Sequence, residues 1–344
     1  MVAVTRSRTT KVEVKSILET DDKIVVKKVT KKTTSTKKKD STPASPKKKV
    51  KVDIEDVLSQ KIVIPEDLKL PKDFIDFHTP EFIEGVNFLL EQDRSLYPLI
   101  VHAPFRQYAK ENDSRNTYTI KKVEGDQINQ YWYSLVSSVI SQQISGGAAR
   151  SIENKFRNLF EEAGEELVPA NVLTKSDEQL RGVGFSFQKI KYVKHISEVF
   201  SDPTANLSQL KFYQETPLEE IVQELIRLKG IGAWSAKMFA IFTLREMDVF
   251  AHDDLGIARG MSKYLLRRPE LYAEVKKHVD SDEDLKGLLK KKSLFANKSD
   301  SKRDWNPYHD VYVKHTAEKF SPYRSIFMFV LWRLSSTNVD VLFT

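Results

Sequence analysis

The nine residues LKGIGAWSA, at positions 228–236, lie between two stretches with a helical pattern and decide the fold of this chain. A Gly-x-Gly turn between two helices predicts a hairpin whose backbone amides face outward at the start of the second helix. Glycine permits a positive φ and a close backbone approach, and a helix N-terminus favours an anion. A plain tight turn is the alternative. The residues expected to form the phosphate contact are Lys229, Gly230, Ile231, Gly232 and Ser235.

The charge around this hairpin favours the phosphate contact. Residues 225–268 hold eight Lys or Arg against four Asp or Glu, whereas residues 53–344 as a whole hold 39 basic against 43 acidic residues. A local excess of positive charge within a net-negative region is typical of a surface that faces phosphates. We therefore favour a phosphate-binding hairpin over a plain turn.

The rest of the chain, from about residue 75, also has the pattern of helices. Apolar residues recur at three-to-four spacing, and Thr79, Ser176 and Ser186 are predicted N-caps. Thr216-Pro217 combines a capping box with a proline start. The segment 99–123 is the only candidate for strands, so the predicted class is all-α. Helices are predicted near residues 80–91, 128–140, 152–160, 190–200, 217–228 and 322–334.

The net charge of +7 comes from the N-terminus, because residues 1–52 carry 16 Lys or Arg against five Asp or Glu. Residues 1–70 are rich in Lys, Thr, Ser and Val, which predicts a disordered basic tail. The run PKKKVKV at 46–52 is typical of a nuclear-import address, so we expect a nuclear protein that binds an import receptor. The alternatives are a solubilising tail and, for the first fifteen residues, a mitochondrial transit peptide.

Composition excludes several other classes of protein. The chain has no cysteine, which excludes disulfides, thiolate metal sites and cysteine nucleophiles. No stretch approaches 18 consecutive apolar residues, so a soluble protein with no membrane contact is expected. The seven histidines suggest no metal site, since His309 and His315 are six residues apart. Residues 276–304 are rich in lysine and aspartate, which predicts a charged insertion or loop, or alternatively a solvated helix, within a folded domain at 75–344.

A second motif, DVFAHDDLGIARG at 248–260, follows the hairpin. Together the two motifs resemble the helix–hairpin–helix glycosylase superfamily, the HhH-GPD group. Three further stretches resemble its 3-methyladenine DNA glycosylases of yeasts. They are SSVISQQISGGAARSI at 137–152, GVGFSFQKIKY at 182–192 and SPYRSIFMFVLWRLSSTN at 321–338. The resemblance covers roughly residues 75–340, apart from 276–304.

This resemblance implies two helical lobes with a DNA cleft between them, one lobe built from the chain middle and the other from both ends. It implies a monomeric enzyme that flips alkylated purines, such as 3-methyladenine and 7-methylguanine, out of double-stranded DNA and hydrolyses the N-glycosidic bond. A non-catalytic DNA-binding protein is the alternative. No cofactor is expected, apart from a monovalent cation that the family suggests between the hairpin and a phosphate.

The catalytic aspartate of the superfamily falls on Asp254, with Asp253 as its rival. The bond breaks through a sugar cation like an oxocarbenium ion, which a fixed carboxylate stabilises. At a helix start the two side chains point about 100° apart, so one is expected to face the pocket and the other to be an N-cap. A cationic alkylated purine leaves without protonation, so no second carboxylate is required.

The base pocket of the relatives falls on Trp234, Met238 and Trp332, with packing in the core as the alternative for Trp234. We expect Trp332 to stack on the flipped base, where a cationic base gains ~1–2 kcal/mol; a core tryptophan is the alternative. The side chain that fills the gap in the DNA falls on Gln143, where bacterial relatives often carry an apolar residue. Members that also cut the strand have a lysine at the position of Trp234 for a Schiff base. The sequence therefore favours a monofunctional hydrolase over a bifunctional glycosylase/lyase for oxidised bases.

Overall fold

The computed structural model describes residues 62–110, 126–295 and 305–335, and this part of the chain is helical without a strand. The segment 99–110, part of the candidate for strands, holds a helix end and a 3₁₀ turn, and only an isolated bridge joins His78 to Ala109. No helix among the described residues is long and apolar enough to cross a membrane. The import-like run at 46–52 lies outside the described residues.

The helices of the described residues are numbered in chain order. They are α1 (Lys72–Phe77), α2 (Pro80–Gln92), α3 (Tyr97–Val101), α4 (Gln127–Ser141), α5 (Gly146–Glu161), α6 (Pro169–Thr174), α7 (Asp177–Gly182), α8 (Phe187–Ser201), α9 (Leu210–Glu215), α10 (Leu218–Ile226), α11 (Ala233–Phe239), α12 (Leu255–Leu266), α13 (Pro269–Ser281), α14 (Glu283–Leu288), α15 (Asp310–Glu318) and α16 (Arg324–Leu334).

These helices bury two large apolar cores. The middle core is formed by residues between 131 and 239, and the end core combines residues 70–108 with residues 240–334. Trp132, fully buried on α4, lies in the middle core and donates a hydrogen bond to Ser197 Oγ of α8 at 3.0 Å. The predicted all-α fold of two lobes, one from the chain middle and one from both ends, is confirmed.

Helix α16 is the centre of the end core, because nine of its eleven residues are buried. It packs against α12 so closely that a Cβ on Gly260 would lie 2.1 Å from the carbonyl oxygen of Leu331. Any larger residue at position 260 would force the two helices apart. This contact fixes the start of α12, where Asp254 lies, against the end of α16, where Trp332 lies.

The chain crosses between the two cores in one continuous helical segment. Helix α11 ends at Phe239 in the middle core, and a π-helical segment, Ala240–Leu244, continues from it into the end core. The hydroxyl groups of Ser134 and Thr243 form a hydrogen bond of 2.5 Å, which joins this segment to α4. The hairpin at the start of α11 therefore lies on the middle lobe and faces the start of α12 on the other.

The helix starts follow the predicted caps at Thr79, Ser176 and Ser186, but not at Thr216 or at the last helix. The last helix was predicted to start at Ser321-Pro322, but it begins at Arg324, and no side chain caps it. Thr79 and Ser186 accept hydrogen bonds from the backbone three residues on, and Ser176 forms the complete capping box with Gln179. The prediction for Thr216 is wrong, because Pro217 is the N-cap of α10 and no side chain caps that helix. Here the fixed φ of proline alone starts the helix.

The folded region begins earlier than residue 75. Leu70 is buried, and Ile62, Ile64 and Leu68 pack against the end core, so this end of the predicted tail is part of the fold. Tyr97 reinforces it by donating from its hydroxyl to the carbonyl oxygen of Lys69 at 2.8 Å. These apolar residues are too few and too irregularly spaced to predict an element. The rest of the predicted tail, up to residue 61, is outside the described residues.

The charged segment at 276–304 is helical where it is described, up to a turn at 289–295. Its first part is the end of α13 and the whole of α14, which is the alternative that the sequence left open. Val275 and Val279 form a small core with Val311 of α15, and this core anchors the segment. Residues 296–304 are not among those described.

Candidate active site

The hairpin between α10 and α11 has the geometry that its glycines predict, although each glycine is needed for a different reason. Gly230 has φ +87°, and a Cβ there would lie 2.4 Å from the ring of Tyr192. Gly232 has an ordinary φ of −97°, and a Cβ there would meet no atom within 4 Å. Gly230 is therefore required by the fold itself, whereas Gly232 leaves the backbone open to an approaching group.

The other three hairpin residues divide between the core and the surface. Ile231 and Ser235 are buried, so their side chains anchor the hairpin and do not lie on its outer face. Lys229 is exposed beside the open backbone. Gly232 is the N-cap of α11, and no described side chain caps the first amides of that helix. The hairpin therefore presents backbone N–H groups and one lysine, which suits a phosphate.

Asp254 lies across from the hairpin and accepts hydrogen bonds on both carboxylate oxygens. Its Oδ1 accepts from the backbone amide of Ile257 at 2.8 Å and from Nε1 of Trp332 at 2.8 Å. Its Oδ2 accepts from Nε1 of Trp234 at 2.9 Å. The carboxylate is thus fixed by its own helix, by the last helix and by the hairpin helix of the other lobe.

This geometry revises the roles that the sequence assigned to the two aspartates. Asp254 is itself the N-cap of α12, although the N-cap role was expected for whichever aspartate turned away from the pocket. Asp253 instead forms an ion pair with Lys237 at 2.7 Å. The three hydrogen bonds therefore make Asp254 a preorganised carboxylate at the junction of the two lobes.

The role expected for Trp332 is corrected by its burial. Its side chain is 2% exposed, packs parallel to Phe242 at 6.1 Å and points Nε1 at Asp254. A ring covered in this way does not stack on a flipped base in this conformation. Trp332 instead holds the orientation of the Asp254 carboxylate through this hydrogen bond and does not touch the base itself. The alternative of a core tryptophan is the better description.

Trp234 is the tryptophan that the site exposes. Its side chain is 41% exposed, while its Nε1 is held by Asp254. Met238, one turn later on α11, is partly buried against the end core. The structure therefore brings Trp234, Trp332 and Asp254 together, with Met238 behind them, and leaves one indole face at the mouth of the site.

Gly256 is a site residue that the sequence reasoning missed. A Cβ at this position would lie 2.8 Å from Cδ1 of Trp332 and 3.0 Å from Oδ1 of Asp254. Any side chain would separate the indole from the carboxylate. The glycine is visible in the motif that begins at Asp248, but only the packing of α16 shows why it is needed.

The loop that carries Gln143 is fixed by two side chains that the sequence also left unassigned. Gln143 is exposed with φ +61°, a left-handed conformation that is uncommon outside glycine. Nζ of Lys189 donates to the carbonyl oxygens of Ile140 at 2.7 Å and Gln142 at 2.9 Å, and burial lowers the pKa of Lys189. Nε2 of Gln142 donates to the carbonyl oxygen of Gly230 at 2.8 Å. These bonds attach the loop directly to the hairpin.

Gln143 is not the only side chain at the tip of this loop. Ile144, the next residue, is 37% exposed although it is apolar. An exposed isoleucine beside an exposed glutamine gives the loop a partly apolar tip. Ile144 therefore supplies, next to Gln143, some of the apolar surface that bacterial relatives often carry at the wedge position.

Comparisons with known proteins find DNA repair proteins of similar sequence. Residues 136–282 match the family model of the HhH-GPD superfamily base excision DNA repair protein. A DNA-3-methyladenine glycosylase of Saccharomyces cerevisiae is 36% identical over 285 residues, which span 81% of this chain and 88% of the relative. DNA-3-methyladenine glycosylase 1 of Schizosaccharomyces pombe is 34% identical over 141 residues, or 40% of this chain and 58% of the relative.

Two solved structures are also among the matches. One is a Schizosaccharomyces pombe 3-methyladenine DNA glycosylase in complex with abasic DNA, at 23% identity and a TM-score of 0.46, covering 72% of this chain and 95% of the other. Another is a DNA-3-methyladenine glycosidase from Bacillus halodurans, at 22% identity and a TM-score of 0.48, covering 76% and 92%.

Proposed function

The chain belongs to the HhH-GPD superfamily of base excision DNA repair proteins, as a relative of the DNA-3-methyladenine glycosylases, and we propose that it removes alkylated purines from duplex DNA. The observation that carries this proposal is the carboxylate of Asp254, held by Trp234 and Trp332 between the lobes. A protein that only binds DNA has no use for a carboxylate fixed from three sides at the cleft. The product is an abasic site, and the pathway is base excision repair.

Base flipping uses the two features on the middle lobe. The hairpin binds a phosphate through the amides near Gly232, and the tip at Gln143 and Ile144 fills the gap that the extruded nucleotide leaves. Unstacking a base costs a few kcal/mol, and the cost is lower for a damaged base. Since Gln142 joins the tip to Gly230, phosphate binding and gap filling occur on one rigid unit.

Hydrolysis then follows from the electrostatics of Asp254. The bond between C1′ and the base nitrogen breaks, its electron pair leaves with the base, and positive charge develops on the sugar. The fixed carboxylate stabilises that charge, and water adds to C1′ with loss of a proton to the solvent. A purine alkylated at N3 or N7 leaves as a neutral base, so the reaction needs no general acid. Trp234 at the position of the lyase lysine gives a monofunctional enzyme.

A monovalent cation between hairpin and phosphate is part of the proposal only as a structural aid. Backbone carbonyl oxygens are hard, neutral ligands of the kind that such an ion prefers. One of them, the carbonyl oxygen of Gly230, already accepts from Gln142. No step of the reaction depends on the ion.

Nuclear import through residues 46–52 and a monomeric state are proposed from the sequence.

The test is release of free base from duplex DNA. The full chain is incubated with duplexes that carry one 3-methyladenine or 7-methylguanine, and the free base and alkali-labile abasic sites are quantified. Borohydride is added in a parallel reaction to trap any Schiff base. We expect base release with no covalent adduct. An adduct, or faster excision of an oxidised pyrimidine, would contradict the monofunctional assignment.

A further inference from the structure

A cavity with charged and apolar walls lies between the end of α14 and helix α15. Its volume is about 240 Å³, and its walls come from the turn after α14, from one face of α15 and from His252. The reaction described above uses none of these residues. His252 precedes Asp254 by two residues, so their Cα atoms are at most about 7 Å apart.

Positive charge dominates the lining of this cavity. Lys291, Lys292 and Lys314 contribute to it, all three are exposed, and none forms an ion pair with another residue that the structure describes. Three ammonium groups that line one cavity, with no ion-pair partner among the described residues, repel one another. An anion between them removes that repulsion.

The two acidic residues of the lining have partners of their own. Asp310 accepts from the hydroxyl of Ser293 at 3.0 Å and from the amide of Leu294 at 3.0 Å. Glu318 forms an ion pair with His315 at 2.9 Å. These contacts hold the two carboxylates in the wall, whereas the ammonium groups of the three lysines contact no acidic side chain in the described part of the chain.

His252 adds a neutral donor to the same cavity. Burial, followed by the charges of Lys314 and Lys237, lowers the pKa of His252 to about 4. The influence of Lys314 shows that its ammonium group lies near the imidazole. A neutral imidazole carries one N–H donor, and no described residue accepts from it.

A metal ion does not suit this cavity. No group of three or more His, Asp or Glu side chains in the described part of the chain is arranged to hold a metal. The three lysines would also repel a cation. The ligand chemistry that remains is a small oxyanion.

We propose that this cavity binds a backbone phosphate of the damaged DNA strand, within about two nucleotides of the flipped base. Lys314, Lys291 and Lys292 supply the charge and His252 supplies a hydrogen bond. The position of the phosphate follows from the place of His252, which lies beside the aspartate that acts on the sugar. The inference rests on the proposed function for its source of phosphate, and it extends the DNA contact from the hairpin lobe to the opposite lobe.

The test replaces single phosphates with neutral methylphosphonates. A set of lesion duplexes carries one methylphosphonate each, at every position within four nucleotides of the lesion on the damaged strand. Affinity is measured at low salt for the full chain and for Lys314→Ala. The control is Lys319→Ala, because Lys319 is an exposed lysine that ends the same helix but lies outside the lining.

We expect one methylphosphonate position to weaken binding of the wild type by roughly three- to tenfold. Lys314→Ala should be weaker on normal DNA by a similar factor and insensitive at that one position, with Lys314→Arg restoring the sensitivity. For Lys314→Ala, the slope of log affinity against log salt concentration should become shallower by about one. Lys319→Ala should keep the full sensitivity.

Several outcomes would overturn the proposal. Equal sensitivity of wild type and Lys314→Ala at every position would show that no phosphate occupies the cavity. If inorganic phosphate binds the wild type, with loss in Lys314→Ala, but no backbone position is sensitive, the source is a free anion and not DNA. Failure of the wild type to release base would contradict the proposed function itself. Normal base release, with no methylphosphonate position whose effect depends on Lys314, would contradict only the proposed phosphate site.

Discussion

Replacing Asp254 with asparagine tests the centre of the proposed mechanism, because the change removes the charge and little else. The amide oxygen of asparagine keeps the acceptor position of Oδ1, so the cap to Ile257 and the contact with Trp332 survive. Its NH₂ group then faces Nε1 of Trp234, which is also a donor, and that hydrogen bond is lost. Since Trp234 is partly exposed, the cost in unfolding free energy is about 1 kcal/mol.

The effect on catalysis is expected to be much larger than the effect on stability. A carboxylate at ~4 Å from a developing sugar cation, at an effective dielectric constant of ~20, contributes about 4 kcal/mol. Loss of that interaction in the transition state slows base release by ~10³-fold. DNA affinity should be unchanged, since the hairpin is untouched.

The assay is single-turnover release of 7-methylguanine from duplex DNA with the enzyme in excess, alongside DNA affinity and thermal unfolding. Trp234→Phe is the matched control, because it removes the same hydrogen bond and keeps both the carboxylate and an aromatic ring. We expect it to retain base release within about tenfold of the wild type. If Asp254→Asn also stays within tenfold, or falls no further than Trp234→Phe, the carboxylate does not stabilise the sugar cation.

Three further predictions concern the groups around this carboxylate. Gly232→Asp should fold normally, because a Cβ there meets no atom within 4 Å. It should nevertheless bind both damaged and undamaged duplexes at least tenfold more weakly. Unchanged affinity in a gel-shift titration would show that the hairpin is only a turn. Lys189→Met should lower base release with little loss of DNA affinity, because it removes the ammonium group that holds the loop of Gln143 through two carbonyl oxygens. The fluorescence of 2-aminopurine next to the lesion should report reduced base flipping. Unaltered flipping would contradict this role of Lys189. Trp332→Phe should slow cationic and neutral bases by the same factor, because Trp332 orients Asp254 and is buried; a selective loss on cationic lesions would restore the stacking role.

The sequence was sufficient for features that depend on neighbouring residues. Helix α4 was predicted at 128–140 and lies at Gln127–Ser141, because its apolar spacing and its burial are the same property. The caps at Ser176 and Ser186 follow from side chains three residues from the amides that they bind. The start of α10 at Pro217 departed from the prediction because a proline and a threonine compete for the same role. Local chemistry predicts local structure until two local signals disagree.

The site contacts that the sequence did not predict join distant parts of the chain. Trp332 meets Asp254 across 78 residues, Gln142 meets Gly230 across 88, and Lys189 meets Ile140 across 49. No periodicity or motif spacing encodes such a pair. The resemblance supplied the positions of Asp254 and Trp332, but it carried a stacking role for an indole that this chain buries under Phe242.

The hydrogen bonds of Asp254 come from both lobes of the fold. The carboxylate takes one hydrogen bond from its own helix, one from α16 in the same lobe, and one from Trp234 on the hairpin helix of the other lobe. The hairpin that we propose to bind a phosphate therefore also orients the carboxylate that we propose to stabilise the sugar cation. Because α11 continues without a break into the π-helical segment Ala240–Leu244, the helix that begins at the hairpin ends in the same core against which α12 packs. The carboxylate of Asp254 is therefore oriented from both lobes at once.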